Sequence, residues 1–96
     1  MSTSKQLLVV VYDISIDRRR TKLHDKLAEY GNAVQYSVFE CLLSAKQRRQ
    51  MQRDIDRIIN PRQDHVRIYT LCQSCLKKIQ TTAGEEVTQE VQAIIV

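Results

Sequence analysis

The stretch Gln6 to Ile14, QLLVVVYDI, is a continuous apolar run rich in β-branched residues. Its length suits a strand, and the near absence of polar alternation predicts a central strand buried on both faces. Beyond it, Asp17 is placed to cap a helix from about Arg18 to Tyr30. Ile16, Leu23, Leu27 and Tyr30 share one stripe of that helix, and Gly31 reads as its stop. In Ala33 to Leu42, AVQYSVFECL, Val34, Tyr36, Val38, Glu40 and Leu42 alternate with Gln35, Ser37, Phe39 and Cys41. This period of two predicts one strand, or two short ones joined by a bend.

Ser44 followed by Gln47 forms a capping box, opening a second helix that Asn60-Pro61 closes. Met51, Ile55, Ile58 and Ile59 are its predicted buried face. His65 to Leu71, HVRIYTL, alternates again as a strand, and Val91 to Val96, VQAIIV, reads as a last one. The order predicts an α+β protein, a ferredoxin-like βαββαβ sandwich with an extra C-terminal strand. With no helix after it, that terminal strand (about 91–96) offers an open edge, which predicts pairing across a homodimer.

The chain has 96 residues, with 15 Lys plus Arg against 11 Asp plus Glu and a net charge of +4. That size predicts one domain, 1–96, burying only about 60 to 65% of its unfolded surface, so a deep pocket within one protomer is not expected. Chemistry is expected on a surface or between subunits. Two Gly and one Pro leave no linker or low-complexity tail. The apolar run Leu7 to Val11 stops at Asp13, too short to span a bilayer, and no small-residue cleavage site follows. The expectation is a cytoplasmic protein without membrane partners. Cys41, Cys72 and Cys75 cannot all pair within one chain, so structural disulfides are not expected. Cys72-Gln-Ser-Cys75 is a lone CxxC without a second ligand pair at finger-like spacing.

Asp13 is an acid at the C-terminal end of an apolar strand, where carboxylates positioned by a fold tend to serve a site. The plain alternative is a strand-end acid bonded to a loop. Arg18, Arg19 and Arg20 fall in the first turn of the next helix, where each cation is disfavoured by about 0.3 to 1 kcal/mol. Either Asp13 and Asp17 neutralise these arginines, or the arginines meet phosphate, which helix N-terminal amides and guanidinium forks both bind. A carboxylate beside them also suits magnesium, which takes one or two carboxylates with water and substrate oxygens. A twofold dimer presents Asp13 twice if the strand ends meet at the axis. Lys46, Arg49, Arg53 and Arg57 form one stripe of the second helix opposite Met51 and Ile55. That stripe is either a solvated face or a phosphate-binding ridge, and the arginine cluster favours the ridge. Gln80 to Val96 holds Glu85, Glu86 and Glu90 and no cation, so the charge is asymmetric. Phe39 and Tyr36 either stack bases or belong to the core. Nothing in the sequence makes His24 and His65 converge as a histidine pair.

Tyr12-Asp13-Ile14, the basic run to Lys22, Tyr30-Gly31, Val34-Gln35-Tyr36-Ser37-Val38-Phe39-Glu40-Cys41 and Val66-Arg67-Ile68-Tyr69 together resemble the CRISPR-associated protein 2 family. The resemblance runs from about Leu7 to Cys75. It implies a ferredoxin-like homodimer whose C-terminal strand joins the sheet across the dimer. It also implies a magnesium-dependent endonuclease acting on RNA or DNA, with Asp13 of both subunits holding the metal. Tyr12, Asp13, Arg20 and Phe39 match family positions linked to nuclease function. Arg18, Arg19, Lys22 and the second-helix ridge are then expected to bind nucleic acid. The family further implies assembly with the CRISPR integrase, a dimer bridging two integrase dimers during spacer insertion. Lys22 stands where some members have arginine and Ala33 where some have a basic residue. Lysine cannot reproduce a bidentate clamp, and alanine holds no phosphate.

Overall fold

The computed structural model describes residues 5–71 and 80. Its elements are β1 (Gln6–Asp13), α1 (Asp17–Leu27), β2 (Asn32–Gln35), β3 (Val38–Leu43), α2 (Ala45–Ile58) and β4 (His65–Leu71). They form a four-stranded antiparallel sheet in the order β2-β3-β1-β4. This is the ferredoxin-like order, with the apolar run in the interior as expected. The segment 91–96, its pairing across a dimer, and Cys72 and Cys75 lie outside the described residues.

Alternation along β1 divides its side chains between two faces. Leu8, Val10 and Tyr12 join Phe39, Cys41 and Leu43 of β3, Leu23 and Leu27 of α1, and Met51 and Ile55 of α2 in one core. Each large apolar side chain so buried contributes about 1.5 to 3 kcal/mol. Ile58 and Ile59 pack at its margin. Both helices therefore cover the same face of the sheet. The register places Val9, Val11 and Asp13 of β1 with Val38, Glu40 and Leu42 of β3 and His65, Arg67 and Tyr69 of β4 on the opposite face.

Residues 33 to 42 take the second of their two expected forms, while α1 differs from expectation at both of its ends. The stretch from residue 33 to 42 is two strands, broken by a turn at Tyr36 and Ser37, with a bulge between Ala33 and Gln35. Ser37 has φ 76°, and its carbonyl accepts from the Tyr12 amide at 3.1 Å, so the turn is fastened to the end of β1. Asp17 does not cap α1. Ile16 occupies the cap position with no side-chain bond, while the Asp17 carboxylate accepts from Arg20 within the first turn. Ile16 is 41% exposed and so lies off the buried stripe. The helix itself ends at Leu27, with Tyr30 in the turn that follows. Gly31 is required for space: a Cβ there would lie 2.2 Å from the Glu40 carbonyl oxygen and 2.7 Å from Cys41 Sγ. The Ser44 and Gln47 capping box forms as expected.

Arg19 fastens α1 to the loop before β4. Its Nε and Nη2 donate to the two Asp64 carboxylate oxygens at 2.8 and 3.2 Å, and the Asn60 amide donates to Asp64 Oδ2 at 2.7 Å. The Arg19 bond holds the Asp64 carboxyl below its ordinary range. A folded-state pKa below the unfolded one gives stability that is present above about pH 4 and lost as pH falls through the folded value. Asp64→Asn should therefore melt several degrees below wild type at about pH 7, with the gap narrowing below about pH 3. Equal gaps at the two pH values in a thermal melt would exclude this linkage.

Candidate active site

Asp13 closes β1 on the face of the sheet opposite the helices. It is exposed, and among the described residues it forms no hydrogen bond or ion pair with a loop or an arginine. His65 is its register partner on β4, and Arg67 is that of Val11. Together with Tyr12 and Tyr69 these residues line a shallow groove of about 410 Å³. Nothing local in the sequence marks His65, Arg67 and Tyr69 as neighbours of Asp13. The alternation of HVRIYTL places the three on one face, but only the pairing of β4 with β1 brings that face to Asp13.

Tyr12, Arg20 and Phe39 lie on the other side of the sheet. Phe39 is buried at 1% exposure, so it belongs to the core. Its ring stacks with Tyr12 at 6.4 Å between centroids and meets the edge of His24 at 5.0 Å. Tyr12 Oη lies 3.3 Å from His24 Nδ1, and burial pushes its phenol above the ordinary value. Arg20 donates to the Ile14 carbonyl at 3.0 Å as well as to Asp17. Tyr12 and Arg20 line a cleft of about 200 Å³ with Thr21, His24, Tyr36 and Ser37. The four family-matched positions are thus divided, Asp13 on one face and the other three behind it. His24 and His65 likewise sit on opposite sides and form no pair.

Of the first-turn arginines, Arg18 is exposed, Arg19 is taken by Asp64, and Arg20 is partly taken by Asp17. Neutralisation therefore accounts for Arg19 and in part for Arg20, with no contribution from Asp13. On α2, Lys46, Arg49, Arg53 and Arg57 are all exposed. Lys46, Arg53 and Arg57 line a groove that shares Asp54 and Arg57 with a second groove holding Lys22 and Lys26 of α1. The ridge consequently extends across both helices. Asp54 at its centre accepts from Tyr30 Oη at 2.5 Å and lies 3.8 Å from Arg57. Burial, reinforced by Asp54, pushes the Tyr30 phenol up to about 12.

Among the described residues no three His, Cys, Asp or Glu side chains group to hold a metal, and no helix is long and apolar enough to cross a membrane. The described chain is thus a ferredoxin-like protein with a strand-end carboxylate on the sheet face opposite its helices and a cationic surface on the helices themselves. It belongs to the CRISPR associated protein Cas2 family, whose model matches residues 6–79. A CRISPR-associated endoribonuclease Cas2 of Synechocystis is 38% identical over 90 residues, spanning 94% of this chain and 98% of the relative. A CRISPR-associated endonuclease Cas2 of Thermus thermophilus is 45% identical over 65 residues, 68% of this chain and 72% of that one. Among solved structures, a chain of a partial Cas6-RT-Cas1-Cas2 complex superposes with TM-score 0.74 at 28% identity, covering 88% of this chain and 92% of its own.

Proposed function

We propose that this protein is a magnesium-dependent endonuclease that hydrolyses phosphodiester bonds, with Asp13 as the metal-holding residue. The observation that carries this reading is the Asp13 carboxylate, exposed on the face opposite the helices with no side-chain partner among the described residues. The relatives' names supply the reaction class, since they are called endoribonuclease and endonuclease. One carboxylate per chain fits magnesium only with water and substrate oxygens completing its shell, and a homodimer meeting at the β1 ends supplies a second. When bound, the ion would neutralise phosphate charge and supply an activated water. Arg67, across from Val11 in the same groove, is placed to bind a phosphate oxygen by its guanidinium fork. Purified protein should cut single-stranded RNA or duplex DNA with magnesium and lose cutting with EDTA. Equal cutting with EDTA would exclude the metal. Cleavage of DNA as well as RNA would exclude any mechanism that needs the 2′-hydroxyl.

A second reading, a non-catalytic DNA-binding scaffold working with the CRISPR integrase, is supported by a different observation. The exposed cations of α1 and α2 form adjoining grooves away from Asp13. The solved complex that resembles this chain contains Cas1 together with Cas2. Duplex binding through this surface should be salt-sensitive. The joint substitution Arg53→Ala and Arg57→Ala should reduce the slope of log affinity against log salt by about 0.9 for each phosphate it leaves without a cation. An unchanged slope would remove the ridge from the DNA interface.

A further inference from the structure

Tyr36 is 84% exposed, more than Ile16, Val34 or Tyr69, the other exposed large hydrophobic side chains among the described residues. It stands at the tip of the β2 to β3 turn, beside Ser37 with its left-handed φ of 76°. A side-chain-bearing residue in that conformation costs about 1 to 2 kcal/mol, and such cost tends to be retained where a turn presents a working residue. The Tyr12 amide bond to the Ser37 carbonyl fixes the turn against β1. Behind Tyr36 lies the 200 Å³ cleft walled by Arg20, Thr21 and His24 of α1. It falls below the roughly 300 to 1,000 Å³ of pockets that enclose a whole small molecule. An aromatic face in solvent, a guanidinium and an imidazole around a one-base space are the elements of a stacking platform for a single strand.

We propose that this cleft binds one nucleotide of a single-stranded nucleic acid, the base stacked on Tyr36 and the adjoining phosphate on Arg20. Arg20 retains donor capacity for this beyond its bonds to Ile14 and Asp17. A duplex cannot use the site, because its bases are already stacked and paired. The subsite lies behind the sheet from Asp13, and its occupancy does not depend on a metal there.

The test is fluorescence anisotropy of labelled single-stranded RNA, single-stranded DNA and duplex DNA with the full-length protein in EDTA, which separates binding from any cutting at Asp13. Tyr36→Ala should weaken both single strands at least about fivefold, the low end of base stacking on an aromatic, and leave the duplex unchanged. Tyr36→Phe should restore single-strand binding, since it keeps the ring. Weakening of RNA alone would count against the proposal, since stacking on the Tyr36 ring does not depend on the sugar. Unchanged single-strand binding by Tyr36→Ala, or equal weakening of duplex and single strands, would overturn the proposal. Because Tyr36 is in solvent, the variant should melt with wild type.

Discussion

Asp13→Asn is expected to lower magnesium-dependent cleavage at least about a hundredfold, the effect of losing a few kcal/mol of metal-derived transition-state stabilisation. The substitution removes one negative charge and preserves shape. The Asp13 carboxylate is exposed and makes no bond among the described residues, so folding stability should stay within about 0.5 kcal/mol of wild type. A steady-state cleavage assay beside a thermal melt separates the two quantities. Undiminished cutting by a folded variant would remove Asp13 from the reaction.

Phe39→Ala is expected to cost about 3 to 5 kcal/mol of stability, a large part of what a domain of this size has. The ring is buried and supports both Tyr12 and His24, so its removal leaves a cavity where three aromatic rings meet. Phe39→Leu keeps most of the volume and should cost less than about 1.5 kcal/mol. If Phe39 acts by supporting its neighbours, the leucine variant should retain cleavage while the alanine variant loses it along with its fold. Urea denaturation paired with the cleavage assay reads both. Loss of cutting by a stable leucine variant would require the ring itself.

The fold was largely legible because its strongest signals are local. QLLVVVYDI had only one strand-like reading, and Ser44 with Gln47 marked the start of α2 at the residue where it begins. The break between β2 and β3 was not decidable, since Tyr36-Ser37 continues the alternation and carries no Gly or Pro to mark the left-handed turn. Gly31 reads as a helix stop, whereas its reason is the close approach of β3, a contact that only the folded chain creates. Of the candidate site, only the position of Asp13 at the end of β1 was legible, since it closes the apolar run directly. That Arg19 belongs to Asp64, and that the Tyr12 and Asp13 side chains lie on opposite faces of the sheet, depends on strand pairing and packing.

A metal site built from Asp13 of two copies is tested most directly by manganese titration of the metal-free protein, followed by the electron paramagnetic resonance signal of the free ion. Manganese stands in for magnesium as an oxygen-preferring dication. Wild type should hold one ion tightly for every two chains, and Asp13→Asn should hold none. One ion per chain, or binding that persists unchanged in Asp13→Asn, would contradict a shared Asp13 site.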